Sequence, residues 1–216
     1  MDTTKRHGRR RPQADGAASP DGKPLTLRER NRLRTRRVLL DAALEVFAES
    51  GFGAATVETI AARAGASKVT VYSYFPQGRE ELFRELYTEV TDELVDHVRK
   101  VYDSEGTLAD RILAVTKGLL AIAQRPLVGR FYSISDPALD EALRPVQGVA
   151  SGTIVDLIAS DIGRAQQSGE VRTTASPTAV AGLLVGAMRA ALADVAYEKM
   201  TAADVLEAMA ALAEGL

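Results

Sequence analysis

The chain has no cysteine among its 216 residues, which excludes disulfides, thiolate nucleophiles and cysteine-ligated zinc, and fits a reducing compartment. Histidine is almost missing as well. His7 lies in a polar tail and His97 is far from it, so a His-rich metal site or a Ser-His-Asp triad is nearly excluded. No long apolar run occurs. The longest, Ala179 to Met188, holds two glycines and stops at Arg189, too short to cross a bilayer, and reads as a buried helix. The N-terminus is basic but no apolar stretch follows it, so it lacks the form of a secretory signal. The expectation is a soluble, cytoplasmic chain with no membrane partner, no metal and no cofactor.

What is present is a charge asymmetry. Residues 1–80 hold 15 Lys and Arg against 9 Asp and Glu, a net of +6, and residues 81–216 hold 12 against 20, a net of −8. A basic head on an acidic body is expected when one part meets a polyanion and the other does not.

Residues 1–25 carry three of the eight prolines and the cluster Lys5, Arg6, Arg9, Arg10, Arg11. So little apolar surface cannot offset the entropy of ordering, and a disordered basic arm is expected. It reads equally as a tail trailing along nucleic acid or as a solvated tail. From Leu27 onward apolar residues recur at helical spacing, with no alternation long enough for a strand, which predicts an all-α fold.

A first helix is predicted from about Leu27 to Ser50 and stops at Gly51. A short second helix follows Thr56 as N-cap and ends at Gly65, and a third follows Ser67 as N-cap and ends before Pro76. A long fourth helix has Glu80 and Glu81 in its first turn and reaches about Tyr102. Further segments are predicted at 108–124, 126–132, 137–146, 149–167, 178–199 and 203–214. Pro126, Pro137 and Pro177 suit first helical turns. The domain reading is a basic arm over 1–25, a DNA-binding head over 26–80, and an effector-binding and dimerisation body over 81–216.

The informative stretch runs from Thr56 to Phe75. Two short helices about a tight turn form a helix-turn-helix arrangement. Ala61 is small enough for close approach, Gly65 can take a left-handed turn, and Ile60, Val71 and Phe75 supply the plug. Lys68, Thr70, Tyr72, Ser73 and Tyr74 then point outward, a mixture suited to phosphates and base edges. An ordinary helical hairpin is the plainer alternative.

This segment resembles the TetR-type transcriptional regulators. The resemblance rests on Ala42-Ala43, Phe47, Gly51-Phe52, Thr56-Val57, Ile60-Ala61, Ala64-Gly65-Ala66-Ser67-Lys68, Tyr72-Ser73-Tyr74-Phe75 and Glu80-Glu81-Leu82-Phe83. It covers about Thr35 to Phe83 closely and the remainder in architecture. Two features depart from the pattern: Val69 stands where the family usually has glycine, and Pro76-Gln77-Gly78-Arg79 is one residue longer than usual, with arginine for the customary lysine. The resemblance implies an operator-binding repressor released by a small-molecule effector. It implies DNA contacts at Arg36, Thr56, Ser67, Lys68, Thr70, Tyr72, Tyr74 and Arg79, with Thr70 bearing base selectivity and Arg79 a phosphate anchor.

The resemblance also implies a two-fold dimer, for which Gly148-x-x-x-Gly152 and Gly182-x-x-x-Gly186-x-x-x-Ala190 offer small-residue edges. Segments 149–167 and 178–199 would form a four-helix interface; close packing within one chain explains the same edges. On the fourth helix Phe83, Tyr87, Val90, Leu94, His97 and Val101 follow steps of four and three. An effector cavity is expected among Leu94, His97, Leu120, Phe131 and Tyr132, His97 being otherwise a satisfied core residue. Arg125 and Arg130 would suit an anionic effector if they pointed inward.

Effector binding is expected to move the fourth helix and spoil the spacing of two heads. One rival is a non-specific architectural DNA-binding protein without effector. Another is an enzyme using Asp92, Asp96 or Asp156, but a carboxylate pair four apart on a helix is ordinarily solvated, and no phosphate-cradling loop or nucleophile elbow appears. The expected answer to the second is no.

Overall fold

The computed structural model describes residues 25–103, 105–137, 139, 143, 146 and 148–216. The arm expected over 1–25 therefore lies almost wholly outside the described residues, as does most of the segment expected at 137–146. The described residues are all-α, with no strand among them. Their helices are α1 (Leu27–Ala54), α2 (Val57–Arg63), α3 (Lys68–Tyr74), α4 (Arg79–Tyr102), α5 (Leu108–Ala123), α6 (Pro126–Tyr132), α7 (Val149–Ser168), α8 (Pro177–Ala196) and α9 (Ala202–Glu214).

The chain divides into a unit ending at Arg37 and a unit beginning at Val38. In the first, Thr26 and Glu29 cap the start of α1 reciprocally. The Glu29 carboxylate accepts from the Thr26 amide at 2.7 Å and the Thr26 hydroxyl accepts from the Glu29 amide at 3.2 Å. Six arginines occupy the eleven residues from Leu27 to Arg37.

The second unit has two hydrophobic cores. One joins the end of α1 with α2, α3 and the start of α4, around Phe47, Phe52, Ile60, Val71, Phe75 and Phe83. The other is the body, where α4, α5, α7, α8 and α9 bury Val98, Ile112, Ile158, Ile162 and Leu192. α7 and α8 lie along each other, and α5 packs on α4, α8 and α9. The corner between α5 and α6 bends by 108°. Gly129 makes it tight: a Cβ there would come within 2.3 Å of the Ala123 carbonyl oxygen.

Among the described residues of the body one carboxylate is enclosed, Asp161, 1% exposed. Arg111 grips it with two hydrogen bonds of 2.6 and 2.8 Å, and Arg164 adds a third at 3.1 Å. A buried charge demands such pairing.

The apolar run 179–188 lies within α8, the helix expected at 178–199, which continues past Arg189 to Ala196. By length and mean hydropathy, 1.6, α8 could cross a membrane, and a third of its apolar stretch is buried in the body. Leu183 on its outer side is 77% exposed.

Candidate nucleic-acid interface

α2 and α3 are built by their caps. Thr56 precedes α2 in extended backbone; its hydroxyl accepts from the Thr59 amide at 3.1 Å, and Thr59 returns the bond by accepting from the Thr56 amide at 3.1 Å. Ser67 caps α3 by accepting from the Thr70 amide at 3.1 Å. Between the helices Gly65 has φ +62°, a left-handed conformation that glycine adopts without strain. Ala61, Ile60, Val71 and Phe75 are buried where the spacing placed them.

The outward side chains of α3 are more heavily engaged than their types suggest. The Lys68 ammonium forms an ion pair with Glu58, one helix back. This holds the Glu58 carboxyl below, and the Lys68 ammonium above, their ordinary ranges. The Ser67 and Thr70 hydroxyls bond each other at 2.9 Å, and the Ser73 hydroxyl donates to the Thr70 carbonyl at 2.8 Å. Tyr74 is half-buried against the head core. Tyr72 and Val69 stay exposed, Val69 at 78%.

The longer connection after Phe75 is absorbed by a turn. The Gly78 amide donates to the Phe75 carbonyl at 2.8 Å, and Gly78 itself has φ +64°. A Cβ there would press on Tyr72 Cε1 and Val57 Cγ2, both at 3.2 Å. This turn directs Arg79 inward. Its Nη1 donates to the carbonyls of Ala55 at 2.9 Å, Phe52 at 3.3 Å and Gly53 at 3.4 Å, its Nε reaches Glu80 at 3.1 Å, and its guanidinium lies 4.7 Å from the Phe52 ring centre. Arg79, expected as a phosphate anchor, is thus engaged with carbonyls at the end of α1 and just beyond it. Arg36 lies in the unit before Val38, half-exposed.

A cavity of about 550 Å³ lies in the second unit. Tyr87 of α4, Tyr132 of α6, segment 133–137, Leu139, Leu143, Ser151 and the Gly186, Arg189, Ala190 and Ala193 edge of α8 line it. Tyr87 and Tyr132 stack at 5.0 Å with planes 20° apart. Burial, then the neighbouring Tyr132, pushes the Tyr87 phenol well above its ordinary range. Of the five residues expected in an effector cavity, only Tyr132 lines this one. Leu94 and Leu120 are buried in helix packing. His97 turns to α5, with Nε2 3.1 Å from the Ala114 carbonyl oxygen and its ring so close to Gly118 that a Cβ there would meet Cδ2 at 2.1 Å.

Phe131 lies in the head core, its ring centre 4.6 Å from Phe83 and 6.1 Å from Phe47. Arg125 is paired with Glu93 on the surface and Arg130 is exposed. Sequence reasoning missed segment 133–137 and Arg189. Pro137, read only as a helix start, was the signal available for the first.

Residues 39–86 match the model of the bacterial regulatory proteins, tetR family. An HTH-type transcriptional regulator of Mycobacterium tuberculosis, Rv0767c, is 31% identical over 147 residues, 67% of each chain. The HTH-type transcriptional activator FasR of Mycolicibacterium smegmatis is 27% identical over 166 residues, 74% of this chain and 72% of that one. FadR of Bacillus subtilis, solved in complex with stearoyl-CoA, superposes with a TM-score of 0.68 at 18% identity, over 83% of this chain and 98% of that one.

Proposed function

Because the chain belongs to the TetR family of bacterial regulatory proteins and is a DNA-binding transcriptional regulator, we propose that it works as a homodimeric repressor. Its two α3 helices enter successive major grooves of an operator, about 34 Å apart, and a small molecule in the cavity beside Tyr132 releases them. The observation that carries the reading is a pair of neighbours on α6: Phe131 is in the head core, and Tyr132 is in the cavity wall. α4 repeats the arrangement one turn apart, with Phe83 in the head core and Tyr87 in the cavity. A ligand that separates the Tyr87–Tyr132 stack acts on two helices that each contribute a ring to the head core. It shifts the equilibrium only by its differential affinity for the two states.

The contacts that hold the head on DNA divide by chemistry. Arg36, Lys68 and the capped turns at Thr56 and Ser67 serve phosphates, while Thr70, Tyr72 and Tyr74 approach base edges. Arg79 sets the angle between α1 and α4 in this reading. Residues 26–80 supply most of the head, and 81–216 the effector and dimer functions. The dimer surface is the outer side of α7 and α8. A Cβ added at Gly152, Gly182 or Gly186 would meet nothing within 4 Å, so these glycines serve no close contact inside one chain, which favours a second copy over intrachain packing. The same glycine edge reaches the cavity through Gly186.

The cavity suits an amphipathic effector, with Ile134, Leu139, Leu143 and Leu192 for an apolar portion and Ser133, Asp136, Ser151 and Arg189 for a polar end. Stearoyl-CoA, the ligand in the FadR complex, is the first probe. The test is a titration of duplexes from upstream of the protein's own gene, and of random DNA, at several salt concentrations, with and without that probe. A preference of roughly a thousandfold supports the regulator. Equal, steeply salt-dependent binding returns the architectural alternative, and no binding at low salt sinks the DNA reading. Loss of operator affinity with the probe supports release; unchanged affinity excludes that effector.

A further inference from the structure

Val69 is 78% exposed, more than any other large hydrophobic side chain among the described residues. It occupies the second position of the helix assigned to the major groove, between Lys68, whose ammonium is held by Glu58, and Thr70, whose hydroxyl is bonded to Ser67. Ser73 has its proton on the Thr70 carbonyl. Apart from the exposed Tyr72 phenol, polar donors on this helix are therefore largely committed to the protein, and the most exposed apolar group is an isopropyl. Such a side chain gains nothing from the fold. Transferred out of water against another apolar group it becomes favourable.

Base edges in the major groove offer one apolar group, the C5-methyl of thymine. We propose that Val69 is a specificity-determining residue that reads a thymine methyl in each operator half-site. The inference rests on the DNA-binding reading above and adds to it a readout by apolar contact, at the position where a family-typical glycine would present no side chain.

The experiment uses the full-length protein and a pool of randomised duplexes. The best-bound sequence is selected, each thymine is replaced in turn by deoxyuridine, which lacks only the methyl, and affinities are compared for the wild type and Val69→Ala. One thymine per half-site is expected to matter, its loss weakening wild-type binding about fourfold, on the scale of one buried methyl-sized group. Val69→Ala should bind the thymine duplex as weakly as the wild type binds the deoxyuridine one, with no further loss on deoxyuridine. Its thermal midpoint should match the wild type, since the side chain is outside the core. If no thymine responds, or if Val69→Ala keeps the full response, the inference is overturned while the operator reading stands. A pool that yields no preferred sequence overturns both.

Discussion

All five phenylalanines of the chain lie in the core of the head, whereas the body core has none and is packed with leucine, isoleucine, valine, alanine and methionine around one enclosed carboxylate. The head is made from four short or partial helices, and a small module has little interior per residue. Each aromatic ring buries roughly 150–250 Å², so a few rings supply what many aliphatic residues would. They also interlock: Phe83 meets Phe47 edge-on at 5.0 Å and Phe52 at 5.2 Å. The body has the opposite design, with longer helices, glycines where helices or side chains press together, and a cavity. The head core is thus closed by interlocked rings and the body core by aliphatic contacts.

Removing a ring should break this comparison most visibly. Phe83→Ala is expected to cost about 4 kcal/mol, read as a fall in the urea midpoint, while Ile158→Val in the body should cost about 1 kcal/mol. Equal losses would mean that the two cores are not distinct in character. Next comes the body's charge. Asp161→Ala leaves Arg111 without its partner in a largely enclosed site and should destabilise by about 3 kcal/mol; a double-mutant cycle with Arg111→Met should return most of that loss.

Leu183→Glu on the outer side of α8 should shift the protein toward monomer by about 2 kcal/mol, measured by sedimentation, with the chain still folded. A smaller effect is expected at the boundary of the head. Arg79→Met should cost about 1–2 kcal/mol of stability through its lost carbonyl bonds and leave the salt dependence of DNA binding unchanged. A slope reduced by about one unit would instead make Arg79 a phosphate contact.

Helix positions were legible because their ends carry chemistry. Thr56, Ser67, Gly51, Gly65, Pro126 and Pro177 each mark a boundary within about three residues of the observed one, since caps and breakers act on their own backbone. The cavity was not. A stripe at steps of three and four chooses a face but not which of two neighbours points inward, and on α4 the fully buried residue is Val98 while His97 turns aside to α5. Phe131 and Tyr132 likewise look alike in sequence, yet one enters the head and the other the cavity. Arg79 illustrates a second limit. The resemblance implied a phosphate role for it, and its bonds to the carbonyls of Phe52, Gly53 and Ala55 are not legible in residue type or spacing.

Phe131 has a consequence for anyone who would cut this protein apart. A fragment ending at residue 86, where the family match stops, would retain four of the five rings and leave a ring-sized hole where the fifth belongs. Transplanting such a fragment onto another regulator's body would meet the same gap unless the recipient's sixth helix supplied an aromatic group at the right height. What looks along the chain like a detachable module is closed by a residue forty-five positions further on.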